Sequence, residues 1–148
     1  MMYETSAGDE SLYSIPEVTE GQTQPGVLEK PIHEDVRGSI RRLDIDGTKL
    51  NLIYTKKGFM RSGDLHKNTQ FDIILSGKVE LSTFENGKAV KKVLEENTFI
   101  VIHPHVPHLF VFLENTVMAE WWDGPFKAWF YQPYRSIIDK NFQQRGGI

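Results

Sequence analysis

The sequence predicts an all-β domain, a sandwich or a closed barrel, and three observations lead to this prediction. Short segments that alternate apolar and polar residues recur along most of the chain, with turn signals roughly every 8–12 residues. Two dipeptides that favour hairpin turns, Asp46-Gly47 and Asn86-Gly87, each separate two such segments. No helical periodicity of useful length precedes Tyr134.

The first 26 residues differ from the rest of the chain in charge. They contain five acidic residues and no lysine or arginine, and Pro16 and Pro25 interrupt their scattered apolar residues. This composition predicts an acidic N-terminal arm that is mobile or loosely packed. An alternative is an arm that crosses to a partner subunit, with Tyr13 and Ile15 as anchors. Residues 27–148 are then predicted to form one domain, since this length suits a single core.

The predicted strands follow one another from residue 27 to residue 131. The segments VLEKPI, GSIRRLDI and TKLNLIYT come first. The stretch GFMRSGDLHKNTQFDIILSG, residues 58–77, continues the pattern, and KVELSTFENGKAVKKVL forms a hairpin. Later strands are predicted at residues 98–102, 107–113, 117–122 and 126–131. Pro133 then begins a short C-terminal helix, because proline is favoured in a first turn.

The composition favours a soluble globular protein and excludes several functions. Of the 148 residues, 39% are hydrophobic and 25% are charged. A net charge of −3 argues against nucleic acid as the main partner. The absence of cysteine removes disulfides, thiolate zinc sites and thiol nucleophiles. No signal peptide and no apolar run near ~18 residues is seen, so we expect a cytoplasmic protein without a membrane partner.

Polar residues stand at even spacing in residues 58–77. Asp64, His66, Gln70 and Asp72 occur among strand-forming residues, and alternate residues of a strand share one face. A row of titratable groups on an inward face is unfavourable unless it meets water, a metal or a ligand. The stretch is therefore predicted to be a pocket wall.

Residues 58–112 resemble the two-part signature of the cupin superfamily, with the first part at residues 58–77 and the second at residues 97–112. The first part is G-x5-H-x-H-x3-E-x6-G, and the second is G-x5-P-x-G-x2-H-x3-N. The spacing matches throughout, whereas residue identity holds at Gly58, His66, Gly77 and His108. The resemblance implies a cupin jelly-roll β-barrel, here with an N-terminal arm and a short C-terminal helix.

In cupins four of these positions usually hold a metal, and here they are Asp64, His66, Gln70 and His108. Two imidazoles and one carboxylate can form the facial triad of a metal site, so iron, manganese, nickel or zinc is the cofactor under this alternative. The amide of Gln70 is a poorer ligand than a carboxylate. His103 and His105 are expected at the barrel rim, with only His108 pointing inward.

A narrower resemblance is to sugar-nucleotide cupins, the dTDP-4-keto-6-deoxyglucose 3,4-ketoisomerases and dTDP-4-dehydrorhamnose 3,5-epimerases. It rests on Gly58 to Arg61 followed by His66-Lys67 and Gln70, on Asp35-x-Arg37-Gly38, and on Tyr134-Arg135 after an aromatic-acidic strand. These families imply a metal-free active site without a cofactor, a dimer with exchanged N-terminal strands, and proton transfer next to a ketone. The substrate would then be a small molecule such as a dTDP-sugar.

This resemblance assigns roles to individual residues. His66 is proposed as general base, with Asp64 or His108 as its charged or hydrogen-bonding partner. Arg61 would grip a phosphate, and the other predicted substrate-binding residues are Lys67, Gln70 and Tyr134. Asp64 stands where the family has its first motif histidine, so that residue's role would pass to Asp64 or His66.

Three functional alternatives follow from these patterns. The first is a nucleotide-linked keto-sugar isomerase or epimerase that works by acid–base proton transfer. The second is a metal-dependent cupin oxygenase or isomerase that uses Asp64, His66 and His108. The third is a non-catalytic cupin that binds a ligand. A surplus of aromatic residues after residue 120, together with short strand edges that need covering, also predicts a homodimer built through sheet edges, with residues 27–45 contributing.

Overall fold

The structure, a computed structural model, describes residues 1–5, 17–19 and 32–147, and only the backbone at residues 17–19. Within these residues the chain forms thirteen strands and one helix. They are β1 (Met2–Thr5), β2 (Glu17–Thr19), β3 (Ile32–Asp35), β4 (Gly38–Ile45), β5 (Thr48–Thr55), β6 (Met60–His66), β7 (Gln70–Ser76), β8 (Lys78–Glu85), β9 (Lys88–Glu95), β10 (Phe99–Ile102), β11 (His108–Phe112), β12 (Thr116–Trp122), β13 (Lys127–Phe130) and α1 (Gln132–Gln144).

The strands form two sheets with the core between them. One sheet has the order β1-β10-β7-β12-β5-β4-β3, and the other has the order β2-β13-β6-β11-β8-β9. Neighbouring strands are antiparallel, except that β1 pairs with β10 in parallel. A buried apolar cluster joins both sheets, with Ile74 and Met118 from one and Leu81, Phe110 and Phe112 from the other. The predicted all-β jelly-roll is confirmed.

Both predicted hairpin turns occur where the sequence places them. Asp46-Gly47 joins β4 to β5, and Asn86-Gly87 joins β8 to β9. In each turn both residues have positive φ, at 53° and 84° in the first and 51° and 75° in the second. Two successive positive φ angles define the type I′ turn, whose twist matches that of the flanking strands.

A β-bulge in β6 determines which of its side chains enter the barrel. Arg61 pairs with Phe110 and Asp64 pairs with His108, so Ser62 and Gly63 together face Leu109. Both residues of the bulge, Ser62 and Gly63, have positive φ, at 82° and 74°. A bulge places two residues opposite one and re-aims the strand. Arg61 and Asp64 therefore both face inward, although they are three positions apart.

The C-terminal helix packs against the outside of β6. Ile138 of α1 is buried, and a Cβ added to Gly63 would lie 2.6 Å from its Cδ1 atom. Glycine at this position thus allows the helix to approach the strand closely. The helix begins at Gln132 with proline in its first turn, as predicted. None of the described residues form a helix with the length and hydropathy of a membrane span.

Parts of the predicted N-terminal arm pair with the barrel of the same chain. β1 lies beside β10, and β2 lies beside β13. The proposed anchors Tyr13 and Ile15 lie outside the described residues, and so does the predicted strand VLEKPI except for Ile32.

Candidate functional site

Two adjacent antiparallel strands bring three polar side chains together inside the barrel. On β6, Asp64 and His66 share the inward face, because they are two positions apart. On β11, His108 lies directly opposite Asp64. His66 is 4% exposed and His108 is completely buried. The two imidazole rings are 4.9 Å apart.

One carboxylate oxygen lies between the two imidazoles. Asp64 Oδ1 is 3.3 Å from His66 Nε2 and 3.3 Å from His108 Nε2. One ligand atom from each of the three residues lies within 4.8 Å of the others. We call these residues the Asp64–His66–His108 cluster.

The single ring proton of His108 lies on the nitrogen that faces away from Asp64, which makes the contact between the two residues unfavourable unless a cation binds between them. His108 Nδ1 is 2.9 Å from the carbonyl oxygen of Val106, which can only accept, so Nδ1 carries the proton. Burial lowers the pKa of His108 to about 4, so the ring is neutral at pH 7 and its Nε2 presents a lone pair. Burial alone would raise the pKa of Asp64, but electrostatic attraction, chiefly to His66, lowers that pKa.

A carboxylate oxygen and an imidazole lone pair thus face each other across 3.3 Å. Among the described residues, the buried atoms Asp64 Oδ1 and His108 Nε2 also have no hydrogen-bond partner. Buried acceptors in such a position need a proton or a cation to share. The cluster supplies two imidazole nitrogens and one carboxylate, which suit a divalent transition metal. The donor set of the cluster therefore fits a metal ion.

A second polar cluster of three residues adjoins the first in the barrel interior. Gln70 Nε2 donates hydrogen bonds to Asp72 Oδ2 at 2.9 Å and to Glu120 Oε1 at 2.7 Å. Burial raises the pKa of Asp72 to about 7. Burial and repulsion from Asp72 raise the pKa of Glu120 well above its usual range. The two carboxyl groups accordingly hold a proton between them near neutral pH, and Gln70 Oε1 and Asp72 Oδ1 remain without a partner.

Aromatic side chains close one side of the Asp64–His66–His108 cluster. The His66 ring is 5.0 Å from Phe126 and 5.7 Å from Trp122, and those two rings are 4.8 Å apart. Asp123, which follows Trp122, is held by Thr69, whose N–H donates to Asp123 Oδ1 at 3.1 Å. Within the part of the chain that the structure describes, the buried indole Nε1 of Trp122 has no hydrogen-bond partner.

The predicted substrate-binding residues occupy different surroundings. Arg61 is 8% exposed, and its Nε donates to Thr55 Oγ1 at 2.7 Å. Burial, followed by repulsion from Arg37, lowers its pKa to about 10. Lys67 is exposed where β6 ends. Tyr134 lies in the first turn of α1 with its ring 4.9 Å from Tyr131, and burial raises its pKa to about 12.

His103 and His105, which the sequence predicts at the rim, do not belong to the Asp64–His66–His108 cluster. His103 is 43% exposed and 3.6 Å from Glu4, whereas His108 is buried. A groove of about 770 Å³, lined by Val36, Lys56, Phe59, Gln144 and Arg145, lies away from both polar clusters. It contains none of the predicted site residues.

Sequence reasoning missed two features of the site. Glu120 was not predicted as a functional residue. Strand alternation could have found it, because Glu120 lies two positions after the apolar Met118 on β12 and so shares its inward face. It pairs with Asp72 across β7 and β12. The unpartnered indole of Trp122, opposite Gln70 on the same two strands, was also not predicted.

Comparisons with known proteins identify the fold. No family model matches the chain, and no curated protein matches its sequence. Among solved structures, oxalate decarboxylase from Lactobacillus farciminis, in complex with formate, is 16% identical with a TM-score of 0.59, over 72% of this chain and 35% of that chain. Bacillus subtilis oxalate decarboxylase, for which Mn(II) centres are described, is 12% identical with a TM-score of 0.59, over 82% and 32%.

A third similar structure is CapF, a capsular polysaccharide assembling protein from Staphylococcus aureus. It is 16% identical with a TM-score of 0.52, over 66% of this chain and 29% of that chain. The chain spans about a third of the length of these solved chains. They are cupin-fold proteins, and at these identities the likeness defines the fold alone. This chain has the cupin jelly-roll fold.

Proposed function

We propose that this chain is a metal-dependent cupin enzyme that acts on a small, oxygen-rich molecule. One observation carries the proposal: a single carboxylate oxygen of Asp64 lies 3.3 Å from the Nε2 atoms of both His66 and His108, and Nε2 of His108 bears no proton. A divalent cation between these atoms removes the repulsion between the carboxylate and the lone pair. The Mn(II) centres described for Bacillus subtilis oxalate decarboxylase lend support from another protein of the same fold.

Asp64, His66 and His108 would supply three ligands to a metal, and a substrate oxygen could supply a further one. A bound divalent metal would act as a Lewis acid that polarises a carbonyl or carboxylate oxygen. The chain itself supplies proton exchange, because Asp72 has a pKa of about 7 and lies in the same interior. This combination suits proton transfer next to a carbonyl, as in an isomerase or epimerase. The role of CapF in capsular polysaccharide assembly makes a keto-sugar a reasonable substrate class.

Metal analysis of variants tests the proposal. Wild-type protein, stripped with a chelator and reloaded with manganese, iron, nickel or zinc, is expected to bind one ion per chain. His66→Asn and His108→Asn are each expected to lower the affinity by more than about 100-fold, since loss of an outer-shell partner alone costs 10–100-fold. The control His103→Asn, at the exposed rim, should bind metal as wild type does. Wild-type protein that binds none of the four ions would exclude a metal enzyme.

A second candidate is the metal-free keto-sugar isomerase, and one observation favours it. His66 Nε2 faces Asp64, while the buried His66 Nδ1 has no hydrogen-bond partner in residues 1–5, 17–19 and 32–147. A carboxylate that orients one nitrogen leaves the other free to take a proton from a substrate carbon. In this case chelator-treated protein should retain turnover of dTDP-linked keto-sugars, and His66→Asn should lower it by about 10²–10⁴-fold. Turnover that depends on added metal would reject this candidate. The dTDP-sugar substrate, the homodimer and the cytoplasmic location stay predictions.

A further inference from the structure

We propose that Trp122 is a substrate-binding residue whose indole N–H donates a hydrogen bond to an oxygen of the molecule bound at the Asp64–His66–His108 cluster. The ligand class is a small molecule with at least two oxygen atoms. One oxygen faces the cluster, and another accepts from Trp122. The inference rests on the proposed function in one respect, that a ligand occupies this end of the barrel.

The first argument is that the indole N–H is buried and has no acceptor. Trp122 faces inward with Glu120 and Met118 on β12, opposite Gln70. Its Nε1 has no hydrogen-bond partner among the described residues. An indole nitrogen can only donate, and a buried donor without a partner destabilises a protein by about 1–3 kcal/mol. A ligand oxygen at this position would satisfy the donor.

The second argument is the chemistry of the neighbouring atoms. Among the described residues, the other buried unpartnered atoms at this end include four acceptors, which are Asp64 Oδ1, Gln70 Oε1, Asp72 Oδ1 and His108 Nε2, and one imidazole nitrogen, His66 Nδ1, which donates only when it carries the ring proton. Acceptors of this kind bind a cation or the hydroxyl groups of a ligand. They cannot bind a carbonyl or carboxylate oxygen. The indole N–H of Trp122 donates in every protonation state of the site, so it would fix which end of an oxygen-rich ligand approaches the cluster.

The third argument is that the indole is held firmly beside His66. Its ring is 5.7 Å from the imidazole and 4.8 Å from Phe126, both nearly edge-on. The next residue, Asp123, is held to Thr69 by two hydrogen bonds: the Thr69 N–H donates to Asp123 Oδ1 at 3.1 Å, and the Asp123 N–H donates to the Thr69 carbonyl oxygen at 3.2 Å. A donor fixed before binding loses little conformational entropy when the ligand arrives.

The adjacent residue provides a matched control. Trp121 is the same residue type one position earlier, and strand alternation turns it to the outer face of the sheet. There it packs against Phe71 at 5.8 Å and Phe99 at 6.0 Å. Phenylalanine in place of either tryptophan keeps an aromatic ring and removes the N–H.

The experiment compares Trp122→Phe with Trp121→Phe. Oxalate, pyruvate and glycolate are titrated by calorimetry into manganese-loaded protein and, separately, into metal-free protein. Manganese content and thermal midpoint are measured for each variant. Trp122→Phe should bind manganese as wild type does and should bind the responding probe about 10-fold more weakly, since one hydrogen bond to a charged group is lost. Trp121→Phe should bind the same probe with wild-type affinity.

Several outcomes would overturn the inference. One is wild-type probe affinity in Trp122→Phe. Another is loss of manganese from that variant, which would mark Trp122 as structural. If wild-type protein bound none of the three probes in either form, the ligand class would be wrong. If the chain took up no manganese but Trp122→Phe still weakened a probe selectively in the metal-free protein, the metal proposal would fail while the role of Trp122 would stand.

Discussion

The two ends of the barrel interior are formed by the same strands, but one end is lined by polar side chains and the other by apolar side chains. On β7 the inward residues run from Gln70 and Asp72 to Ile74, and on β11 they run from His108 to Phe110 and Phe112. One end is therefore lined by carboxyl, amide and imidazole groups, which we call the polar end. The other, the apolar end, is closed by aromatic and aliphatic side chains with exposures near zero.

The difference between the ends indicates what each contributes. Burial of the apolar end stabilises the fold by about 1.5–3 kcal/mol per large side chain. The polar end instead desolvates ionisable groups and leaves several of their atoms without partners, which opposes folding. A protein retains such groups where a ligand or a reaction requires them. Stability should thus depend on the apolar end, and binding on the polar end.

The largest effect is expected from a cavity at the apolar end. Phe112→Ala should lower the free energy of unfolding by about 3–5 kcal/mol, because a fully buried aromatic side chain is lost. Urea denaturation measures this change. Val93→Ala on the exposed face of β9 should change it by less than about 0.5 kcal/mol. A loss below about 1 kcal/mol in Phe112→Ala would contradict the division between the ends.

A carboxylate in place of Gln70 is expected to disrupt the polar end. The amide of Gln70 donates to Asp72 and Glu120, and Gln70→Glu would replace this donor with a third buried acid. At pH 8 we expect a loss of about 3 kcal/mol, as for an uncompensated buried charge, and a smaller loss at pH 5. Urea denaturation at both pH values measures the effect, and Gln143→Glu on exposed α1 is the control. An unchanged stability at pH 8 would show that the amide is not needed there.

The sequence predicted the parts of this comparison that depend on local pattern. Alternation placed Asp64 and His66 on one face, and the dipeptides Asp46-Gly47 and Asn86-Gly87 defined two hairpins. Motif spacing added His108 from a distant strand. These features are encoded within a few residues or in a fixed interval, so a single sequence contains them.

Features that depend on strand pairing could not be predicted in the same way. Glu120 meets Asp72 only because β12 lies beside β7 in a particular register. Arg61 enters the barrel only because Ser62 and Gly63 form a bulge, which shifts the alternation by one position. The competition between burial and neighbouring charges, which sets the pKa of Asp64 and Asp72, also depends on the tertiary structure.

Metal binding should stabilise the polar end without involving the apolar end. At a free manganese concentration of 100 times Kd, the free energy of unfolding should rise by about 2.7 kcal/mol. Urea denaturation with and without manganese measures the increase. His66→Asn should abolish it, whereas Phe112→Ala should retain it, because effects of separate sites add. Loss of the increase in Phe112→Ala would show that the two ends are coupled.

The smallest expected effect is a fall in stability of the metal-free protein as pH rises through 7. Burial raises the pKa of Asp72 to about 7 and that of Glu120 well above its usual range. These carboxyls keep protons in the folded protein that they lose in the unfolded chain, so they contribute stability at low pH that disappears as pH rises through their folded pKa values. His108, with a pKa lowered to about 4, acts oppositely, but only below its unfolded pKa of about 6.5.

Between pH 6.5 and 7.5 the carboxyl groups of Asp72 and Glu120 therefore determine how stability changes with pH. The neighbouring His66 and Asp64 influence this change because attraction to His66 lowers the pKa of Asp72 and repulsion from Asp64 raises it. One retained proton changes the free energy by about 1.4 kcal/mol per pH unit, so we expect a loss of about 1–2 kcal/mol across this interval. Urea denaturation in the presence of a chelator measures it. Asp72→Asn should reduce the slope, because asparagine does not titrate, whereas Asp139→Asn on the exposed side of α1 should leave it unchanged. A free energy of unfolding that is constant or rises over this interval would mean that the pair ionises freely in the folded protein, and the polar end would then be hydrated rather than buried.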